Sequence, residues 1–146
     1  MFVEPLPNAR QSASGRGSNR RIPPGVDTRN KILSADAAPR AATVVTGTFD
    51  VIQAEDAREL AAIRAHSPVR PLVVVVLPLD DWLLPQRARA ELVAGLRMVD
   101  YVLITDDRHP DALLAGLQPA EVVRLETVHA DRKRQLMGHV HRRQTS

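Results

Sequence analysis

No cysteine occurs in this sequence, which removes disulfides, thiolate zinc sites and cysteine nucleophiles from the chemistry open to it. The same absence suits a reducing compartment. Aromatic residues are almost as scarce, with one Trp, one Tyr and two Phe among 146 residues. That leaves no array of rings on which nucleic-acid bases could stack. Long apolar runs are missing too: the longest, residues 72–77, is far short of the ~20 residues a membrane-spanning helix requires. The opening Met1-Phe-Val-Glu-Pro-Leu-Pro7 lacks the basic-then-apolar order of a secretion signal. The expectation is a cytoplasmic protein with no membrane partner.

What is present is unevenly distributed. The formal net charge is +3, but residues 1–40 carry seven Arg/Lys against three acids, and residues 124–146 carry six against two. Residues 41–123 carry seven basic and twelve acidic residues. An acidic body between basic ends differs from a nucleic-acid-binding domain, whose basic residues form a face on folded structure. The ends read as solvated tails, or as weak electrostatic contacts with RNA or an acidic partner.

Residues 1–25 are rich in Pro, Ser, Gly and Arg, so they read as a disordered basic arm. One α/β domain is expected over residues 26–125, with a basic C-terminal helix or tail over 126–146. Ser34, followed by Asp36, has the pattern of a helix N-cap that Pro39 cuts short. Residues 42–46 are β-branched and apolar, a buried strand. Residues 55–66 place Ala57, Leu60, Ala61 and Ile63 on one helical face. The valine run at 72–77 has the composition of a central parallel strand covered on both sides. An amphipathic helix is expected over 86–98, a strand over 99–105, a short helix over 110–117 and a strand over 121–125. This alternation predicts an α/β, Rossmann-like doubly wound parallel sheet of four or five strands with helices on both faces. Ligands of such sheets bind beyond the carboxyl ends of the strands.

The loop after the first strand is the most distinctive segment. It reads Thr46-Gly47-Thr48-Phe49-Asp50-Val51-Ile52-Gln53-Ala54-Glu55-Asp56. This resembles the opening of the cytidylyltransferase-like nucleotidyltransferases, whose pattern here is G-x-F-D-x-x-H-x-G-H. The heptose-phosphate adenylyltransferases and glycerol-3-phosphate cytidylyltransferases are the nearest branches. Lys31-Ile-Leu-Ser34, residues 85–96 and Val99-Asp-Tyr-Val102 agree with them in order and spacing, so the resemblance covers about residues 31–123.

The resemblance implies a nucleotide held by Thr46, Gly47, Thr48, Phe49, Asp50, Gln53 and Arg87, with Mg²⁺ as the metal that nucleotide would bring. It also implies a homodimer, or pairing with an active paralogue. The motif has been rewritten, however. Gln53 and Asp56 stand at the two histidine positions, and Glu55 replaces the glycine between them. A helix N-terminus attracts phosphate, whereas two carboxylates in its first turn oppose a triphosphate. The loop over 77–85 has no lysine, and the C-terminal segment lacks the family's Ser/Thr-rich turn.

No confident catalytic residue remains, since Gln53 and Asp56 are degenerate positions. The expected function is a non-catalytic nucleotide-binding or partner-binding module. The alternatives are a divergent adenylyl- or cytidylyltransferase acting on a sugar or polyol phosphate, and a structural interaction protein with a filled pocket. Smaller features stay open. His129, His139 and His141 read as surface histidines of a solvated helix, with His139 and His141 as a conceivable metal pair. Asp80, Asp81, Asp106 and Asp107 read as loop acids or ligand contacts. Trp82 reads as loop packing or a subunit contact, and Arg87 as a ligand contact or the partner of Glu91.

Overall fold

The computed structural model describes residues 27–145, so the arm over 1–25 lies outside the described residues. Four strands, β1 (Thr43–Gly47), β2 (Leu72–Val76), β3 (Tyr101–Ile104) and β4 (Glu121–Arg124), form one sheet in the order β3-β2-β1-β4. Every pairing is parallel, with Val44 opposite Val73, Val45 opposite Val74, and Val74 opposite Val102. Between and after the strands run α1 (Ala54–His66), α2 (Gln86–Ala94), α3 (Asp111–Leu117) and α4 (Glu126–Thr145). Among the described residues no helix is long and apolar enough to cross a membrane.

All five residues of β1 and of β2 are buried, as expected of strands covered on both faces. Alternate side chains feed two cores. On one face Val45, Val74 and Val76 pack with Leu60 of α1 and with Ala90 and Val93 of α2. On the other, Val44, Val73 and Val75 pack with Leu114 and Leu117 of α3. Helices thus cover both faces, and four strands suffice.

Two elements differ from their sequence expectation. The helix expected after Ser34 is a single 3-10 turn, Ala35–Ala37, and the Ser34 side chain makes no cap hydrogen bond. Pro39 allows no further turn. The second amphipathic helix ends at Ala94, four residues before the expected limit. There the Gly95 N–H gathers onto the Glu91 and Leu92 carbonyls, and the Leu96 and Val99 amides make tight i,i−3 bonds that turn the chain toward β3. Lys31 holds this turn by donating from Nζ to the carbonyls of Leu96 (3.2 Å) and Val99 (2.9 Å). Ile32 then bridges to Val102 on the outer edge of β3. Beyond the carboxyl ends of the strands the 48–53 loop, the 77–85 loop and the start of α4 converge.

Candidate functional site

The turn that ends β1 is built for close approach. Phe49 takes a left-handed backbone conformation (φ 51°) with its ring buried in the core. Such a conformation in a bulky residue is uncommon and costs energy. In return, consecutive N–H groups converge into the kind of concavity that ordinarily binds an anion. Here the amides of Thr48 and Phe49 both donate to Nδ1 of His129, at 3.2 and 3.3 Å. An imidazole nitrogen that accepts two hydrogen bonds carries no proton, so the proton of the neutral ring is on Nε2. That atom lies 3.3 Å from Oδ1 of Asp56, in contact but out of line for a hydrogen bond. The Phe49 ring meets the imidazole edge-on at 4.4 Å between centroids. Gly47 makes the approach possible, because a Cβ there would stand 2.5 Å from His129 Cε1.

Asp56 is the third residue of α1 and accepts the Gln53 amide at 2.7 Å, the acidic half of a capping box. Arg132 of α4 reaches the same carboxylate through Nη1 and binds Glu59 through Nη2 at 3.1 Å. Burial alone would raise the Asp56 pKa. The contacts with His129, the Gln53 amide and Arg132 outweigh it and hold the carboxyl below its ordinary value. Asp50 behaves alike. It accepts the Leu83 amide at 2.8 Å and the Leu84 amide at 2.9 Å, and Lys133 Nζ lies 2.7 Å away. Its burial is likewise offset by these three partners, and its pKa is lowered.

Arg89, 1% exposed, ties the two loops together. It donates to the carbonyls of Thr48 (2.6 Å), Leu77 (3.0 Å) and Leu84 (3.0 Å). Desolvation lowers its pKa while the Asp50 charge acts in the other direction, and a guanidinium stays cationic through such shifts. At the start of α4, Thr46 Oγ1 donates to Glu126 at 2.7 Å. Glu126, His129 and Lys133 follow one another at helical spacing, so a single stripe of α4 faces the strand ends.

The structure brings together most of the residues named from the sequence. Gly47, Thr48, Phe49, Asp50, Gln53 and Asp56 lie around the imidazole, where the Thr48 and Phe49 amides and the Asp50 and Asp56 carboxylates are engaged by the chain itself, and Thr46 is bonded to Glu126. The remaining cavity, lined by Thr48, Asp50, Gln53, Asp56, His129 and Arg132 among others, has a volume of about 10 Å³. That is room for one water. Arg87 lines neither this cavity nor the neighbouring groove; it is exposed and pairs with Glu91 at 3.2 Å. His129 corrects the reading of it as a surface histidine: it is 7% exposed and central. The solvated tail is corrected over its first part too, since Arg132 and Lys133 are ion-paired to the body. The side chains of His139 and His141 lie outside the described residues. Asp80 pairs with Arg108 on the surface, and Asp107 caps the His109 amide at 2.9 Å.

Asp56, Glu59 and His129 present three possible metal ligands within 4.8 Å of one another. They do not fit a cation. The Arg132 guanidinium already supplies the positive charge between the carboxylates, and His129 turns a protonated nitrogen toward them.

Sequence reasoning missed Arg132 and Lys133 as site residues. A signal existed in the 126, 129, 133 spacing and in the complementary charges of tail and body.

No protein-family model matches the chain, and no curated protein matches it. Among solved structures it is similar to the crystal structure of the lipopolysaccharide core biosynthesis protein from Thermoplasma volcanium GSS1. The likeness has a TM-score of 0.49 at 15% identity, over 57% of this chain and 93% of that one.

Proposed function

We propose that this chain is a non-catalytic protein of nucleotidyltransferase type that acts as a partner-binding module, with its own helix α4 standing where a nucleotide's phosphates would lie. One observation carries the reading: the paired amides of Thr48 and Phe49 are given to His129 Nδ1, and the cavity that these residues enclose with Gln53, Asp56 and Arg132 holds about 10 Å³. The resemblance of residues 31–123 to the cytidylyltransferase-like enzymes supports the assignment of type. The lost histidines, at Gln53 and Asp56, support the loss of chemistry.

Nucleotidyl transfer needs donors preorganised around the charge that develops as pyrophosphate leaves. In this site the backbone donors are spent on an imidazole. Asp56 is a buried acceptor, and the cations Arg132 and Lys133 are neutralised by Asp56, Glu59 and Asp50. A triphosphate would have to displace α4 and then face three uncovered carboxylates. The reading of a filled pocket is therefore favoured over nucleotide binding and over a divergent transferase.

Calorimetric titration and thermal shift with ATP, CTP and their monophosphates, with and without Mg²⁺, test it. The expected result is no heat of binding and no movement of the melting point. A ligand at ~100 times its dissociation constant would stabilise the fold by ~2.7 kcal/mol. A shift of several degrees with any of these nucleotides would overturn the proposal.

A further inference from the structure

The two edges of the sheet are finished differently. At the β3 edge the chain covers itself: Ile32 bridges to Val102, and the Leu33 N–H donates to the Val102 carbonyl at 2.9 Å. These two neighbours serve opposite faces, with Ile32 packed against the α1–α2 core and Leu33 against the α3 core. At the β4 edge no described residue pairs with the outer side of the strand.

The Glu121 and Leu125 amides donate inward, to the carbonyls of Ala42 (3.4 Å) and Thr46 (2.8 Å). By the alternation of a strand, the N–H and C=O groups of Val122 and Arg124 then point outward. Val122, opposite Val44, is 37% exposed on the α3 face, and Val123, opposite Val45, is only partly buried on the α1 face. Beside Val123 lies a concavity of about 220 Å³ between β4 and α1, lined by Ala62, Ile63, His66 and Glu121 as well. The charge around this edge is unbalanced. Glu121, Asp111 and Glu126 stand there against two arginines, Arg70 and Arg124, and Glu121 meets Arg70 only at 3.7 Å.

The geometry points to the β4 edge as a docking site for an extended segment of another protein, apolar at its centre and basic at its ends. A row of outward N–H and C=O groups is a template for an added strand. A helix laid there would bury those groups without partners, because its own backbone is spent within itself. Side chains of an added strand alternate between the faces. One central apolar residue therefore enters the concavity beside Val123, and its neighbour covers Val122, as Ile32 and Leu33 do for β3. Basic residues at the ends answer the excess of acid. The inference rests on the reading of the chain as a partner-binding module, and it names the face and the chemistry of the partner.

Hydrogen exchange on the full chain should find the amides of Val122 and Arg124 fast and that of Val123 protected. The probe is a synthetic peptide of about eight residues, the length of an ordinary strand, with Ile-Val at its centre and lysines at both ends. Calorimetric titration should show it binding, and the Val122 and Arg124 amides should slow as it does. The same peptide N-methylated at both central residues cannot pair in either register and should bind at least about tenfold more weakly. Ala62→Arg, a surface change on α1, should close the concavity and weaken binding about tenfold while leaving the melting point in place. Glu121→Lys should turn the preference from lysine-flanked to glutamate-flanked peptide.

Protection of the Val122 and Arg124 amides in the free chain would mean that the edge is already covered, and would overturn the inference. So would failure of the lysine-flanked peptide to bind, equal binding of its N-methylated form, or binding indifferent to Ala62→Arg. Nucleotide binding by the wild type would instead overturn the filled-pocket reading and leave the peptide titration legible by itself.

Discussion

Val45 and Val74 lie side by side in the sheet among Leu60, Ala90 and Val93, whereas just past the ends of the same strands the buried side chains are Asp50, Asp56, Arg89 and His129. The two regions share backbone but are held differently. Apolar packing has little directional demand and tolerates exchange of shape. The charged rim depends on each partner being present, because removing one leaves another buried and uncompensated. Helix α4 belongs largely to the second region: among the described residues its polar attachments to the body come from Glu126, His129, Arg132 and Lys133, and its Val128 and Met137 are exposed.

The largest expected effect comes from the apolar half. Leu60→Ala should cost about 3 kcal/mol and shift one cooperative unfolding transition that carries the sheet and α4 together, read by urea titration. A loss below about 1 kcal/mol would mean the α1 face is not a close-packed core.

Next comes Gly47→Ala, which sets a methyl against His129 and should cost about 2 kcal/mol. Its signature separates the regions: hydrogen exchange should quicken in α4 and at Thr48 and Phe49 while the amides of β2 keep their protection. Equal quickening in β2 would show that rim and sheet do not come apart.

Acid should act on the rim. Asp50 and Asp56 have lowered folded-state pKa values. Their contribution is therefore complete above the unfolded-state value of ~3.9 and is lost as pH falls through the still lower folded-state values. Melting points should drop as pH falls below about 4, and Asp56→Asn should lessen that drop. An undiminished acid drop in the variant would remove Asp56 from the account.

The smallest effect belongs to Arg87→Ala. An exposed i,i+4 pair with Glu91 is worth about 0.3 kcal/mol, so its melting point should stay close to that of the wild type, whereas Arg89→Ala, which orphans three carbonyls, should not.

The regions also differ in how far the sequence discloses them. Period and composition are enough for the sheet: the valine run at β2 and the spacing of Leu60 with Ile63 follow directly from what each element buries. The rim needs partners that lie far apart in the chain. Asp56 and Arg132 are 76 residues apart, and Thr48 and His129 are 81, so no local window holds both members of a pair. Charge totals record that body and tail are opposite in sign without saying which residues meet. The same distance hid the role of Gly47. Its motif explains a glycine by approach to phosphate, while the structure explains it by approach to an imidazole from α4. Arg87 and Arg89 stand two apart on one helix and so face different ways, one at the surface and the other buried.

Only Leu125 separates β4 from α4, its amide bonded to Thr46 and its carbonyl to the His129 amide. The helix is therefore made after every strand it covers, and its 20 residues emerge over roughly one to four seconds at ordinary rates of synthesis. For that interval the Thr48 and Phe49 amides lack His129, and Asp56 and Asp50 lack Arg132 and Lys133.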